Sequence, residues 1–566
     1  MIIISTIPGR YQGGREADAG SGAQPQLNRL VCVRERPGVY SGGKASQTME
    51  IPAPLARQAR FATWRSSSAV LVALGGVLVG AGLGAVSCGG SDSPAGASST
   101  SGDSSSGSGA GGGAAASFTP QGCAFSIAGR PEYKGFSTSQ PTVGKSPDLR
   151  RVRLGLGGNV VPGAAGHADP ATSIAFAWQS SDDTLASEAQ WGDDPDPTKW
   201  PAANRAEGVT WATPASTLNA PADERMHEVY VCGLAPAKTY YYRVGGGPAG
   251  GEVWSDVYGF TTAPSDPGAP VTFGITGDAR GEEKDAWRLI QRRLKVAGVG
   301  MQLFSGDVIN LAPDQGEWEQ WLDSAWKDTD KTPLTLASVL TLSAHGNHEN
   351  HTSLFFGNLT LPQDVAKYPK YAELFYSVDV GPVHVVVLDD AWIVNPPDDP
   401  DYQPALTEWL TADLDAATKN RAKVPWIVTV NHHSAFSSAN HGGDPDVLLG
   451  RAYFVPIWDK YHVDLALGGH DHNYERTKPL TGPAPAPTIH ASAKDGTVYV
   501  VCAGAGADSY GPSTSNFTEL SHGYDNATVL GLYGILSVTS STLKLEAHDL
   551  RPDASDPIFD TLTITK

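Results

Sequence analysis

From Pro270 to the C-terminus, short apolar runs alternate with amphipathic stretches. The runs VTFGITGD (271–278), MQLFSGD (301–307), LTLSAHGN (340–347), HVVVLDD (384–390), WIVTVNH (426–432) and DLALGGH (464–470) read as buried strands. Between them, AWRLIQRRLKVA (286–297), EWEQWLDSAW (317–326) and LTEWLTADLDAA (406–417) space apolar residues as a helix with one buried face does, and VPIWDKYH (455–462) continues the alternation. Strands alternating with helices predict a layered α/β domain. The tail (VYVVCAG, YGILSVTS, LKLEAHD, TLTITK) has strand patterns but little helix, so the sheet system is expected to be mixed.

Upstream, from about Arg150 to Ala263, the pattern changes. VRLGLGG, SIAFAWQS, HEVYVCGL, TYYYRVGG and VYGFTTAP are β-branched or aromatic runs separated by Gly, Pro and Asp, and no helical stretch stands out. Leu234-Ala235-Pro236 followed by Tyr240 resembles the tyrosine corner of immunoglobulin-like sandwiches, and Trp178 suits a buried core position. Residues 118–264 are therefore expected to form an all-β, fibronectin type III-like sandwich, and residues 265–566 the α/β domain.

The first hundred residues follow neither pattern. Ala69–Ser87 carries no charge, follows Arg57, Arg60 and Arg65, and ends in Ala85-Val86-Ser87-Cys88. A basic flank, an apolar stretch and small residues form an export signal. Its end resembles the bacterial lipoprotein signal, in which the cysteine, here Cys88, is lipidated. An uncleaved anchor helix and plain secretion are the alternatives. The expected location is the bacterial cell envelope, at a periplasmic or extracellular face, or outside the cell. The signal would begin at Met49, which makes 1–48 a non-native leader and 49–88 the signal segment. Residues 89–117 are almost all Gly, Ser, Ala, Thr and Asp, too polar to bury a core, and read as a flexible tether.

Charge narrows the partners. Forty-one Lys and Arg against 60 Asp and Glu give a formal charge of -19, which argues against nucleic-acid binding through a basic face. The five cysteines contain no CxxC pair, so a thiolate zinc site is not expected. Cys502 lies in an apolar run and reads as a buried thiol, while Cys123 and Cys232 can pair in an oxidising compartment.

The α/β domain carries the chemistry. Its apolar strands end at Asp278, at Asp307, in Asn347-His348-Glu349, at His432-His433 and at His470-Asp471-His472. Ligands of open α/β sheets bind beyond the carboxyl ends of the strands, so these groups are expected to share one crevice. A Gly-Asp after one strand is usually a turn, but five such ends together are much more specific. Carboxylate, amide and imidazole donors without thiolate suit zinc, iron or manganese, and their number suits two ions. Two ions 3.5–4 Å apart clamp an in-line displacement at phosphorus. No G-x-S-x-G elbow is present.

GDAR, GDVIN, GNHE, the His432 segment and GHDHNYER resemble the five blocks of the calcineurin-like metallophosphoesterases, most closely the purple acid phosphatase branch. The upstream segments HEVYVCGLAPAKTYYYRVG and WSDVYGFTTAP resemble that branch's fibronectin-like N-terminal domain. The resemblance covers about residues 150–566 and implies a four-layer α/β/β/α metallophosphoesterase domain. It implies a bridging Asp307, with Asp278 and His472 on the first ion and Asn347, His432 and His470 on the second. His432 rather than His433 falls in the ligand register, with Ser434 where the family keeps Pro. His348 would contact phosphate and serve as general acid. His441 falls where the family keeps a second substrate histidine, its alternative being an exposed loop residue. Two departures stand out. The family's ligand tyrosine is Asn310 here, leaving an amide oxygen or water to fill the gap and removing the purple chromophore. The histidine that other branches place after the first Asp is Arg280, which can hold phosphate or make a surface ion pair. The implied cofactors are two divalent or trivalent ions, iron with zinc or manganese.

The expected reaction is hydrolysis of a phosphate monoester by a metal-bound hydroxide, the substrate being a phosphorylated small molecule. A phosphodiesterase or nucleotidase on the same scaffold is the first alternative, and a non-catalytic adhesion protein the second.

Overall fold

The five strand ends that carry donors come from two sheets. In the first, Leu340–Ser343, Met301–Phe304 and Val271–Thr276 run parallel, and Gly531–Val538, Thr542–Leu550 and Ile558–Thr565 extend it antiparallel. In the second, Val383–Leu388, Trp426–His433, Leu465–Gly469 and Val498–Cys502 run parallel. Phe375–Val380 flanks this sheet at one edge, and Tyr474–Thr477 and Thr518–His522 at the other, all antiparallel. The parallel strands are buried along their length, which is why they read as continuous apolar runs rather than alternating ones. Both sheets are mixed, as the tail's pattern implies.

The coordinates are a computed structural model, which describes residues 117–130, 133–212, 224–280, 285–394, 399–482 and 486–566. The expected leader 1–48, the signal segment 49–88 with Cys88, and residues 89–116 of the expected tether lie outside the described residues. Ser117, assigned to the tether by composition, instead pairs in a short strand, Ser117–Phe118, with Ile127–Ala128. Among the described residues, no helix is long and apolar enough to cross a membrane.

Helices cover the sheets. Helix Ala286–Ala297 ends at Gly298, whose φ of +66° turns the chain and whose N–H returns to Leu294 O. Helix Gln315–Trp326 starts at Asp314, whose carboxylate accepts from the Gly316 and Glu317 N–H groups. These two helices stack Trp287 on Trp321 at 5.2 Å, and Leu294 packs over Gly274 of the first sheet. Helix Tyr402–Asn420 packs Trp409 against Phe375 of the second sheet. The sheets meet where the Cys502 thiol lies 3.7 Å from Ile275 O and the Tyr474 hydroxyl donates to Asp560.

The N-terminal part is β-rich. One five-stranded sheet runs Lys134–Thr138, Val209–Ala212, Glu224–Cys232, Ser173–Ser181, Arg150–Gly155. A second contains Val253–Trp254, Thr239–Gly246, Glu188–Gly192, Arg205–Glu207 and Tyr258–Thr261. Trp178 is fully buried, and the Tyr240 hydroxyl accepts from the Ala235 N–H at 2.9 Å. Cys123 and Cys232 form a disulfide, and Cys502 is a buried free thiol. This half shares one apolar core with the α/β half and adds polar contacts across the junction. Arg151 reaches Glu319 and Asp323 of the helix Gln315–Trp326, and the Tyr242 hydroxyl donates to Ala337 O. Thr360 donates to the buried Glu228.

Candidate metal centre

Backbone conformation brings the donors together. Asp278, Asp307 and His470 all have positive φ, at +58°, +57° and +73°. Left-handed backbone is costly for residues with a Cβ and persists where the surroundings enforce it, commonly at functional sites. Glycines beside them permit the closeness: a Cβ on Gly346 would lie 2.3 Å from Asp307 Oδ1, and one on Gly469 2.3 Å from Asp278 Oδ2. The glycines of the sequence blocks are thus spacers that let two segments of the backbone touch.

One cluster gathers Asp307, Asn347, His432 and His470. His432 Nε2 lies 2.9 Å from Asn347 Oδ1 and 3.3 Å from Asp307 Oδ1, and His470 Nδ1 is 3.1 Å from the same amide oxygen. The other His432 nitrogen, Nδ1, is 2.9 Å from Ser305 O and donates to it. In the neutral ring Nε2 therefore carries a lone pair, which points at two oxygen acceptors. Acceptors facing one another at about 3 Å, with His432 and Asp307 fully buried, need a cation between them. Either a proton or a metal ion meets that need. Burial opposes protonation of His432, but Asp307 and Asp278 outweigh it and raise His432 to about 10. The donor types, their convergence and the carbonyl holding the far nitrogen of His432 all fit a metal ion.

The second group is Asp278, Asp307 and His472. His472 Nδ1 donates to Asp508 O at 2.8 Å, leaving Nε2 as an acceptor 3.6 Å from Asp278 Oδ1. Burial, assisted by Asp307, raises Asp278 to about 7. Burial and the neighbouring Arg280 lower His472 to about 3, and burial also lowers His470. Arg280 is no surface residue: its side chain is 13% exposed and lies inside the crevice against Asp307 and His472. Asn310 is exposed, its side-chain oxygen 3.4 Å from Arg280 Nη1.

His348 and His441 stand at the rim. His348 Nδ1 donates to Asn310 O at 2.7 Å, which leaves Nε2 3.9 Å from Asp307 Oδ2. Burial lowers the His348 pKa. His441 Nδ1 pairs with Asp444 at 2.8 Å, and its ring lies 4.5 Å from that of His470.

Several residues to which the motifs assign no role hold this set in place. Glu349, fully buried and raised to about 7 by burial and Asp307, accepts from the N–H groups of Gly346, Asp307 and Val308. It ties one strand end to the next. Asp390 accepts from the His433 N–H and from Asn431 Nδ2, fixing the His432 backbone. Asp389 pairs with His351 at 2.6 Å, and His351 stacks on His345 at 3.9 Å. His345 Nε2 accepts the His351 N–H, so the neutral ring carries its proton on Nδ1. A strand ending in two aspartates, HVVVLDD, was the available signal. A cavity of about 750 Å³ lies elsewhere, beside His167, His384 and Asp413, and none of the donors lines it.

Residues 164–262 match the family described as Purple acid Phosphatase, N-terminal domain, and residues 271–474 match Calcineurin-like phosphoesterase. The chain is 26% identical over 412 residues to "Acid phosphatase type 7" of Danio rerio, covering 65% of this chain and 87% of that protein. It is 26% identical over 328 residues to "Purple acid phosphatase 1" of Ipomoea batatas, covering 53% and 64%. It is 25% identical over 395 residues to "Probable inactive purple acid phosphatase 1" of Arabidopsis thaliana, covering 62% and 60%. The fold is shared with a purple acid phosphatase from Lupinus luteus seeds, at a TM-score of 0.55, 20% identity and 74% coverage of each chain.

Proposed function

Because the chain belongs to the calcineurin-like phosphoesterases, in the purple acid phosphatase branch, we propose that this metal-dependent phosphoesterase hydrolyses phosphate monoesters in the crevice around Asp307. One observation carries the reading: His432 Nε2, an acceptor because its Nδ1 donates to Ser305 O, faces the acceptors Asn347 Oδ1 and Asp307 Oδ1 with His470 Nδ1 beside them, an arrangement that a cation reconciles. Relatives named inactive share the scaffold, so the donors rather than the fold support activity. The family's dinuclear centre would draw on Asp307, Asn347, His432 and His470 for one ion, and on Asp278, Asp307 and His472 for the other. Such ions acidify a bound water and neutralise phosphoryl oxygens.

The chain's own residues do the rest. The His348 Nε2 edge faces the crevice while its Nδ1 is anchored on Asn310 O, the orientation of a proton donor to the departing alcohol. A histidine lowered below its usual 6.5 holds that proton only in acid, which suits an acid phosphatase. His441, oriented by Asp444, sits beside His470 where the ester group would extend. Asn310 takes part through its backbone carbonyl. The β-rich half is read as the fibronectin-like domain of the branch. Export, with lipidation at Cys88, is part of the same reading, and the Cys123–Cys232 disulfide supports an oxidising compartment.

The test compares an aryl phosphate with the corresponding bis-aryl diester on the full chain. Monoester turnover at least about tenfold faster in kcat/KM, a difference of about 1.4 kcal/mol in barrier, is expected. Diester preference would make the chain a phosphodiesterase, and no turnover of either would leave a binding protein.

A further inference from the structure

Two of the three groups set aside for the first ion, Asp307 and His472, already have a cation beside them. Arg280 Nη2 lies 3.0 Å from His472 Nε2 and 3.0 Å from Asp307 Oδ2, and Nη1 lies 3.4 Å from Asn310 Oδ1. His472 Nδ1 is spent on Asp508 O, so Nε2 is its only lone pair, and the guanidinium takes it. The Asp307 oxygen involved is the one that does not face His432. The placement is built rather than incidental. The Arg280 N–H donates to Asp307 O at 3.2 Å, and a φ of +59° directs the residue back toward the crevice. Tyr510 stacks on the His472 ring at 4.1 Å and holds the imidazole to this geometry. A guanidinium keeps its charge at every accessible pH, so no proton loss vacates the position.

We propose that Arg280 is an internal cation that competes with the first metal ion for Asp307 and His472. The inference rests on the metal-dependent reading above. The second cluster, with Asn347, His432 and His470, has no such side-chain cation among the described residues, so an ion entering it displaces no more than a proton from His432. The resting chain therefore holds one ion tightly at that cluster. A second ion enters only by displacing the guanidinium from its ion pair with Asp307 and its charge-assisted hydrogen bond to His472. Both departures from the family pattern follow from one device: Asn310 offers a neutral amide oxygen where a phenolate would bind iron, and Arg280 supplies the positive charge.

The test is calorimetric titration of the full chain, stripped with a chelator, with Zn²⁺ alone. Wild type should take one ion in a tight step and a second about 10- to 100-fold more weakly, the worth of one or two charge-assisted hydrogen bonds. In Arg280→Gln, which keeps a polar side chain but is shorter and carries no charge, the second step should tighten by that factor while the first stays put. Two equal ions in wild type, or an unchanged second step in the variant, overturns the competition. If the variant does not fold, the shape of the wild-type isotherm alone decides. No ion bound in either protein would instead overturn the metal-dependent reading itself.

Discussion

His348 illustrates how a residue's role depends on which nitrogen is free. Its Nδ1 is held by Asn310 O, so only Nε2 can meet a leaving group. Replacement by Ala should lower kcat by about 100- to 10,000-fold on an alkyl phosphate, with metal content unchanged. On p-nitrophenyl phosphate, whose leaving group departs without a proton, the loss should be much smaller. Equal losses on both esters would remove the general-acid role. At this scale the sequence was legible where a residue's chemistry follows a strand: Asp278, Asp307, Asn347, His432, His470 and His472 all stand at strand ends and gather in the crevice. It was illegible where a residue acts through another. Glu349, Asp389 and Asp390 stand in the GNHE and HVVVLDD runs but act through backbone, histidine or amide groups, and no spacing distinguishes such a supporting carboxylate from a ligand.

Elements are locked together by charges outside the crevice. His384 on Val383–Leu388 lies 2.7 Å from Asp379 on the neighbouring strand and 2.9 Å from Asp413 on the helix Tyr402–Asn420. Burial opposes its charge, but the two carboxylates prevail and raise it to about 10. A histidine raised in the folded state stabilises fully below its unfolded pKa, and the contribution fades as pH climbs toward the folded value. Thermal stability is thus expected to decline between about pH 6.5 and 10, and His384→Gln should flatten that slope. An identical slope in the variant would show that His384 does not set it. Helices and central strands were readable because one face, or both, had to be apolar. Among the strands that escaped reading, Lys134–Thr138 and Arg205–Glu207 lie at sheet edges and are short and polar, so their pairing comes from neighbours rather than from their own pattern, while Glu188–Gly192 and Val209–Ala212 lie inside their sheets but are too short to show a period.

Across the whole molecule, two β-sheets and their helices serve to hold a few strand ends within hydrogen-bonding reach of one another. The β-rich half supports this indirectly, since Arg151 and Tyr242 brace the helix and loop that follow the Asp307 strand. The alternation of runs made the α/β half legible, while the docking of the halves was not, because it rests on a shared apolar core and on cross-contacts such as Thr360 with Glu228 that no periodicity marks. The central claim is that these strand ends act together on a cation to cleave phosphate esters. The most direct measurement is hydrolysis of p-nitrophenyl phosphate by chelator-stripped full-length protein, before and after return of Zn²⁺, Mn²⁺ or iron, alongside Asp307→Asn. Turnover should vanish on stripping and return with metal in wild type, while Asp307→Asn should recover less than about one hundredth, because even partners behind metal ligands are worth 10- to 100-fold. Undiminished turnover in the stripped protein, or full recovery by Asp307→Asn, would contradict the account.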